Sequence, residues 1–407
     1  MKVLFCHNYY QQTGGEDVSF DDEVALLRSR GHSVVTYLRH NDEAAQTSRV
    51  RLTLDTFWSR RSYREVRRLI AEHRPDIVHC TNTFPLISPS VYYAARRSGV
   101  PVVQSLRNYR IMCANGLFFR DGKVCEKCLC KPTPWPSVIH RCYRGSAVSS
   151  AVVTAMVGSH WHLGTWTRAI DLYITLTHLA KAKFVAAGLP EDRIRVKPNF
   201  LPADPGMGRG DGGYALFVGR LSEEKGVATL LEAWSRDEVA MPLRIIGDGP
   251  MAPLVREAAG RRPDRIRWLG SQSREQVFDA IGDATCLIVP SLGFETFGRA
   301  IMEGFAKGVP VVASRLGAMA ELIDDGVTGL HFTPGDADDL LGKLAMLAGD
   351  DVLRQRMRDT ARRRYLAHFT ADANYSELIS LYEEAQKLHA ARSPAVPRRA
   401  LSLSPAR

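Results

Sequence analysis

Short apolar runs, rich in β-branched residues, alternate along the chain with longer stretches in which apolar positions recur at helical spacing. This alternation is typical of a parallel sheet with helices on both faces. In the first half it predicts strands at residues 3–6, 33–37, 76–80, 102–105, 172–176 and 194–197. The helices predicted between them span residues 17–30, 63–73, 90–97 and 179–187.

A segment rich in Gly and Pro, LPADPGMGRGDGG at residues 201–213, interrupts this pattern and predicts a linker. The alternation then resumes, with strands predicted at residues 215–218, 243–246, 266–269, 286–289, 311–314 and 329–332. Helices are predicted at residues 227–234, 254–261, 275–281, 299–306 and 337–348, followed by one long charged helix from about Asp351 to His389.

The pattern therefore predicts an α/β protein of two doubly wound, Rossmann-like domains that face each other across a cleft. The predicted domains are residues 1–199, with a Cys-rich insertion at about 108–145, and residues 214–372, joined by a linker at 200–213. A final helix at 373–389 is expected to cross back to the first domain, and the Pro- and Arg-rich tail at 390–407 to be disordered. Ligands in such sheets bind outside the carboxyl ends of the strands.

The length of 407 residues suits two domains, and the net charge of +10 indicates an acidic ligand or surface. Phosphorylated ligands and anionic lipids fit this charge better than nucleic acid, because no nucleic-acid-binding motif is present. The N-terminus lacks the apolar core of a signal peptide, so the 8 cysteines indicate a reducing, cytoplasmic compartment. Residues 145–167 carry no charge but are interrupted by polar groups, which favours a buried or membrane-surface helix over a spanning one.

The densest candidate chemistry in the second half is the segment VGRLSEEKG at residues 218–226. A predicted strand delivers Gly219 and Arg220 to the cleft edge, and Lys225 precedes the next helix. One guanidinium and one ammonium on either side of such a turn can neutralise a diphosphate. A solvated helix start would explain the same residues.

A second candidate lies in FETFGRAIMEG at residues 294–304, where Glu295 and Glu303 stand across the start of a predicted helix. Gly298 near that helix N-terminus leaves backbone N–H groups free for anionic oxygens. Glu303 is placed to accept hydrogen bonds from the two hydroxyls of a ribose. Acids matched to the helix dipole are the alternative interpretation.

These stretches, together with GDGP at residues 247–250 and KGVPVVA at residues 307–313, resemble retaining glycosyltransferases of family 4, which have the GT-B fold. The resemblance implies that Arg220 and Lys225 hold the diphosphate of a UDP- or GDP-sugar donor and that Glu303 binds the ribose. It implies that Glu295 contacts the donor sugar and that Gly219, Thr296, Phe297 and Gly298 complete the donor site. Arg220, Lys225 and Glu295 would then be the catalytic residues.

The first half resembles bacterial family members that build exopolysaccharides and other polysaccharides, often on lipid-linked acceptors. The resemblance places Gly14 and Gly15 beside both substrates, and Asn82 and Arg107 in the acceptor cleft. Such relatives usually carry His in place of Thr81 and Arg107, and an Arg side chain cannot shuttle a proton near neutral pH. Donor specificity has therefore changed or the activity is weakened, and the alternative function is a nucleotide-sugar-binding scaffold.

For the mechanism, the resemblance favours front-face displacement, in which the leaving diphosphate accepts the acceptor's proton. A covalent intermediate would require a carboxylate nucleophile, and Glu295 is the only candidate. Basic and aromatic residues at 57–64, with Arg67 and Arg68, predict peripheral docking on an anionic membrane face, although a solvated basic helix fits equally well.

No cofactor is predicted to be needed for catalysis. The segment GDGPMA at residues 247–252 mimics a dinucleotide fingerprint, but the next strand lacks the acid that binds the ribose. Asp336 and Asp338 spell the D-x-D motif of metal-dependent transferases, yet an N-cap role fits them better. Four cysteines of the insertion could instead close a structural zinc site, remain reduced thiols or form a disulfide; they are Cys113, Cys125, Cys128 and Cys142.

Overall fold

The computed structural model describes residues 1–12 and 14–392. Its N-terminal domain is built on a six-stranded, all-parallel sheet of strand order β2-β1-β3-β4-β7-β8. A short antiparallel hairpin, β5 and β6, projects from this domain. The strands are β1 Lys2–Tyr9, β2 Ser33–His40, β3 Ile77–Cys80, β4 Val102–Leu106, β5 Phe119–Arg120, β6 Lys123–Val124, β7 Leu172–Thr175 and β8 Ile194–Val196.

Nine helices accompany these strands in the described part of the domain. They are α1 Gly15–Ser29, α2 Asp42–Ala45, α3 Arg49–Phe57, α4 Arg60–His73, α5 Ser90–Arg97, α6 Pro136–Ile139, α7 Ala147–His162, α8 Thr165–Arg168 and α9 His178–Ala186.

The C-terminal domain repeats this architecture with a six-stranded parallel sheet of order β11-β10-β9-β12-β13-β14. Its strands are β9 Ala215–Val218, β10 Leu243–Ile246, β11 Ile266–Trp268, β12 Cys286–Val289, β13 Val311–Ser314 and β14 Gly329–Phe332. Its helices are α10 Val227–Ser235, α11 Ala252–Arg261, α12 Arg274–Asp283, α13 Arg299–Ala306, α14 Gly317–Leu322, α15 Ala337–Gly349 and α16 Asp351–His368. Buried apolar clusters cover both faces of the sheet, which explains the near-continuous apolar strands.

The prediction of one long helix from Asp351 to His389 is wrong, because the chain breaks between α16 and a last helix, α17 Ala371–Arg392. Phe369 is buried against Phe297 and Phe305, and its carbonyl accepts a 3.0 Å hydrogen bond from the Leu201 amide of the linker. The break redirects the chain, so that α17 packs on the N-terminal sheet.

Apolar side chains of α17, among them Leu378 and Tyr382, join the buried cluster of Val3 and Phe5 in β1. The helix begins at Ala371 and continues to Arg392, so residues 390–392 are helical rather than part of a tail. The predicted disorder of residues 393–407 lies outside the described residues.

The uncharged segment at residues 145–167 contains α7 and the start of α8, which pack on the N-terminal domain through Val153 and Val157 of α7 and Trp166 of α8. None of the described helices is long and apolar enough to cross a membrane. The linker runs along the C-terminal domain, where the amides of Gly208 and Gly210 donate to backbone carbonyls of Lys307 and Gly282.

Candidate functional site

The strongest polar contact in the cleft joins Lys225 and Glu295, with 2.6 Å between Nζ and Oε1. Ser291, just after β12, donates its hydroxyl to the same oxygen at 2.7 Å. Burial alone would raise the pKa of Glu295, but the Lys225 ammonium and the Ser291 hydroxyl outweigh it and hold the pKa below its ordinary value. Glu295 is therefore an ionised carboxylate fixed in place by a cation.

Backbone geometry brings these two residues together. Gly226, at the start of α10, has φ +72°, and a Cβ there would lie 1.8 Å from the Pro290 carbonyl oxygen. Only glycine allows the turn after β9 to pass this close to the end of β12. Lys225 and Glu295 follow two adjacent strands of the sheet, and their side chains meet at its carboxyl edge.

Arg220 lies two residues beyond the end of β9 and is exposed. It forms neither an ion pair nor a side-chain hydrogen bond with any residue that the structure describes. Gly219, which precedes it, is half-buried and donates its amide to the Ile246 carbonyl at 3.0 Å. The guanidinium is thus free to meet an anion at the cleft edge.

Glu303 lies in α13, one turn from the helix start that Gly298 caps in a left-handed conformation with φ +85°. Burial raises the pKa of Glu303 above its ordinary value, against the opposing charges of Arg299 and Arg274. Phe297 is a core residue, packed on Phe369, so its backbone rather than its side chain is available to a ligand. The Glu303 carboxyl lacks a close cation, since Arg299 Nε is 3.9 Å away.

A cavity of about 120 Å³ lies between the domains. Lys225, Glu295 and Thr296 line it from the C-terminal domain. Arg107, Asn108 and Gly116 line it from the other. Thr296 spans the gap, because its hydroxyl donates to the Arg107 carbonyl at 3.0 Å. The structure thus joins the predicted donor residues to the N-terminal domain around one cavity.

The Arg107 side chain does not project into this cavity. Its Nη2 lies 3.0 Å from Glu23 Oε1, and its Nη1 donates to Asn199 at 2.7 Å. Lys197 approaches the same Glu23 oxygen at 2.9 Å. Burial raises the pKa of Glu23, but Lys197 and Arg107 lower it to about 2. The side chain thus anchors α1 to the ends of β4 and β8, and a role of Arg107 in the acceptor cleft, whose cavity the residue lines, stays a prediction.

Asn82 and Thr81 are also interior residues. The Asn82 amide donates to the Asn8 carbonyl at 2.7 Å and accepts from the Phe84 amide at 3.1 Å, so it shapes the turn after β3. Thr81 forms a 2.6 Å hydrogen bond with His7, whose other nitrogen lies 2.9 Å from Asp17. Both residues border a smaller cavity inside the N-terminal domain rather than the cleft.

Contacts between α1 and the C-terminal domain close the opposite side of the cleft. Asp22 lies 3.2 Å from Arg299 and 3.3 Å from Arg274. Gly14 caps α1, and its amide donates to Asp17 at 3.0 Å. A Cβ on Gly15 would lie 3.1 Å from Cδ of Arg299, so a side chain there would push against this contact.

The Cys-rich insertion does not present a metal site in this arrangement. Within residues 1–12 and 14–392, no three His, Cys, Asp or Glu side chains are placed to hold a metal ion. All eight cysteines are free thiols. Burial, reinforced by the nearby Cys113, Cys142 and Cys125, raises the pKa of Cys128 to about 12. As placed, the described side chains offer fewer than three ligands to any one zinc ion, and the zinc site stays a prediction.

The D-x-D sequence has the predicted N-cap role. Asp336 caps α15 by accepting from the amides of Asp338 and Asp339, each at 3.0 Å. Sequence reasoning missed Asp22, Arg299 and Glu23, and also Glu321, which accepts from the amides of His178 and Leu179 at the start of α9. Long-range pairing within a fold leaves no signal in a single sequence.

Two family models match the chain and together span most of it. Residues 14–199 match the glycosyl transferase 4-like domain, and residues 208–364 match glycosyl transferases group 1. The phosphatidyl-myo-inositol mannosyltransferase of Mycobacterium leprae is 38% identical over 212 residues, which are 48% of this chain and 54% of that protein. The GDP-mannose-dependent alpha-mannosyltransferase of Corynebacterium glutamicum is 27% identical over 294 residues, covering 71% of this chain and 63% of that protein.

The matched regions thus span about half to two thirds of the curated relatives. Among solved structures, Anabaena HepE in complex with UDP-glucose superposes with a TM-score of 0.67 at 17% identity. The superposition covers 94% of this chain and 99% of that one. It confirms the GT-B fold that the sequence predicts.

Proposed function

The chain belongs to the family 4-like glycosyltransferases, and on that basis we propose that it transfers a sugar from a nucleotide diphosphate to an acceptor with retention of anomeric configuration. The observation that carries the proposal is the Lys225–Glu295 pair at the interdomain cavity. A cation held at 2.6 Å by a carboxylate is already positioned before the donor arrives. Such preorganised charge is the main source of catalysis where negative charge develops in the transition state.

Each donor residue has a role in this proposal. Lys225 and the exposed Arg220 take the diphosphate, and the amides at the start of α13 add a partial positive charge. Glu303, whose nearest cation among the described residues is Arg299 at 3.9 Å, accepts hydrogen bonds from the ribose hydroxyls. Glu295 orients hydroxyls of the donor sugar with the oxygen that Lys225 leaves free.

The surroundings of Glu295 favour front-face displacement over a covalent intermediate. Glu295 Oε1 is held by both Lys225 and Ser291, and its other oxygen is assigned here to hydroxyls of the donor sugar, so neither oxygen is left to attack the anomeric carbon. In the front-face route the bond from the anomeric carbon to the diphosphate breaks first. The acceptor hydroxyl then attacks from the same side, and its proton passes to the leaving diphosphate.

Calorimetry with UDP-, GDP- and ADP-sugars, followed by NMR of the product, tests this function. We expect one nucleotide to bind, slow donor hydrolysis without acceptor, and a product of unchanged anomeric configuration. Folded protein that binds none of the nucleoside diphosphates would contradict the whole proposal. Binding without any turnover would instead indicate a scaffold, but Thr81 and Arg107, which suggested that role, are engaged in interior contacts.

The acceptor, in this proposal, is lipid-linked or a polysaccharide precursor, and the enzyme docks on the anionic inner face of a membrane. The supporting surface is α3 with the residue that follows it, where Val50 is 73% exposed, Leu54 64% and Trp58 40%. Arg49 and Arg60 beside them form no ion pair with a described residue. Exposed apolar side chains flanked by arginines fit an anionic bilayer.

Co-sedimentation with vesicles tests the docking. We expect binding to vesicles that contain anionic lipid and weak binding to neutral ones. The double substitution Val50→Ser and Leu54→Ser should reduce it severalfold, whereas Val352→Ser, at a 79% exposed position in the other domain, should leave it unchanged. Equal loss in both variants would contradict this surface.

A further inference from the structure

A guanidinium without a carboxylate partner lies in the loop after β4. The Arg110 side chain is stacked 4.5 Å from the centre of the Phe84 ring and 5.6 Å from that of Tyr143. Its Nη1 donates to the Ala114 carbonyl at 3.0 Å. No Asp or Glu among residues 1–12 and 14–392 lies within ion-pair distance of it.

The hydrogen bonds of Arg110 leave one edge of the guanidinium unused. Its Nε is buried and lacks a hydrogen-bond partner, and Nη2 donates to none of the described residues. Nε and Nη2 form the edge that binds the two oxygens of a phosphate or carboxylate side by side. A half-buried charge with unmet donors is costly, and stacking between aromatic rings does not provide hydrogen bonds.

Arg110 lies at the carboxyl edge of the N-terminal sheet, on a cavity that adjoins the interdomain one. Arg110 lines the cavity of about 50 Å³ inside the N-terminal domain, at the carboxyl ends of β3 and β4. Asn108 lines both this cavity and the interdomain one, and its Oδ1 accepts from the Arg110 amide at 3.0 Å. Arg107 lines both cavities as well, so the two cavities meet at Arg107 and Asn108.

A second unmet polar atom lies next to Asn108. Glu16, in the first turn of α1, accepts at Oε2 from Tyr10 at 2.9 Å and from Asn108 at 3.1 Å. Its other oxygen, Oε1, is buried and accepts no hydrogen bond from the residues that the structure describes. A carboxylate oxygen without a hydrogen-bond partner can accept a hydrogen bond from a sugar hydroxyl. In the same way, the guanidinium edge without a partner can donate hydrogen bonds to an oxyanion.

We propose that Arg110 binds an oxyanion carried by the acceptor, a phosphate or a carboxylate, and that Glu16 accepts a hydrogen bond from an acceptor hydroxyl. The inference builds on the proposed transferase function and narrows the acceptor to a negatively charged saccharide. Acceptor binding at this site requires no metal or cofactor, because the Arg110 guanidinium supplies the positive charge. The hydrogen bond between Glu16 and Asn108 holds the site next to the interdomain cavity.

Ligand-observed NMR on the full chain, saturated with the nucleoside diphosphate that calorimetry shows to bind, tests the site. The bound nucleotide keeps the probes out of the donor diphosphate site. The probes are glucose 1-phosphate, glucuronate and glucose, which share a hexose ring and differ in charge. We expect at least one anionic probe to bind roughly tenfold or more tightly than glucose. Preference for the phosphate indicates a phosphorylated acceptor, and preference for glucuronate indicates an acidic sugar.

Arg110→Gln should remove most of this preference. The matched control is Arg144→Gln, which loses the same charge above the same ring, 5.5 Å from Tyr143, but at an exposed position. We expect the control to retain affinity for the anionic probe within about threefold. Arg110→Lys keeps the charge but loses the planar stacking and the side-by-side pair of donors, so its affinity should be intermediate.

The nucleotide affinity of each variant distinguishes failure of the proposed donor site from failure of the proposed acceptor site. Unchanged nucleotide affinity in Arg110→Lys shows that the fold and the donor site are intact, even where Arg110→Gln is unstable. The site is overturned if neither anionic probe outcompetes glucose on the wild-type protein. It is also overturned if Arg110→Lys and Arg144→Gln have equal effects. Failure of the nucleotide itself to bind would instead overturn the donor assignment.

Discussion

Asp22 in α1 and Arg299 in α13 meet across the domain boundary, with 3.2 Å between Oδ2 and Nη2. Ser19 accepts a second hydrogen bond from Arg299 at 2.8 Å. Arg299 is also one helical turn before Glu303, the residue proposed to hold the donor ribose. One side chain thus links domain closure to the donor site.

Asp22→Asn should raise the KM for the donor more than it lowers kcat. Without the carboxylate, Arg299 and Arg274 lose their interdomain ion pair, and Arg299, held across the boundary by the Ser19 hydroxyl alone, can move onto Glu303 and compete with ribose hydroxyls. We expect kcat/KM to fall about tenfold, within the range for interfacial charge pairs. Steady-state kinetics checks this. Asp21→Asn, at the exposed neighbouring position, is the control, and equal effects would contradict the link.

Removing either donor cation should slow transfer by roughly 10²–10³, the usual loss for one preorganised contact. Arg220→Ala should do so without loss of thermal stability, since Arg220 is exposed and unpaired within the described chain. Lys225→Ala should in addition raise the pKa of Glu295, because the main opposing charge disappears. Single-turnover rates and melting temperatures measure both effects. Near wild-type rates in either variant would remove the basis of the donor assignment.

Arg107→Ala should behave as a stability variant rather than an active-site variant. It leaves Glu23 with Lys197 as its only cation and removes the Asn199 hydrogen bond. Breaking a buried ion pair costs about 3–5 kcal/mol, and we expect the low end because Lys197 remains. Urea unfolding measures the loss and calorimetry the nucleotide affinity. If Arg107→Ala were stable but failed to bind the donor, Arg107 would have to be assigned a direct role in the cleft.

His79 should make the fold acid-sensitive. Burial lowers its pKa to about 3, from an ordinary value of 6.5, with Glu23 opposing and Arg107 and Lys197 adding to the shift. Because the folded pKa lies below the unfolded one, stability is complete above about pH 6.5 and declines toward pH 3. At pH 5 this group alone removes up to about 2 kcal/mol. The two ring nitrogens of His79 form hydrogen bonds with the hydroxyls of Tyr382 and Ser105.

Urea unfolding of wild type and His79→Gln at pH 7 and pH 5 checks this. Glutamine can keep one of the two hydrogen bonds but has no charge to acquire, so the variant should lose less stability than the wild type between the two pH values. Parallel losses would show that other groups control the acid response.

The zinc hypothesis is decided by metal analysis of the purified chain. The arrangement of the four thiols, without three ligands placed for a metal among the described residues, leads us to expect no stoichiometric zinc. One zinc per chain that disappears in Cys125→Ser would show that the insertion closes around a metal.

The sequence by itself determined both sheets. Parallel strands buried on two faces must be apolar throughout, so β9, β10, β12, β13 and β14 could be located to the residue. It also located Lys225, Glu295 and Glu303, because they lie in the segments that follow the predicted strands β9 and β12, at the carboxyl edge of the sheet. The sequence did not predict the break between α16 and α17, because the helical periodicity continues through it. The break occurs where the Phe369 ring packs in the core and its carbonyl accepts a hydrogen bond from the linker.

Only the tertiary structure decided which of these residues face a ligand. Arg107 follows β4 just as Arg220 follows β9, yet one is buried against Glu23 and the other is exposed. The difference comes from partners 84 or more positions away in the chain: Glu23 and Asn199 bind the two terminal nitrogens of Arg107, while no described residue pairs with the Arg220 guanidinium or with the Nε–Nη2 edge of Arg110. The periodicity of apolar residues indicates which side of one helix or strand is buried. The pairing of charges, however, depends on contacts between distant segments that exist only in the folded chain.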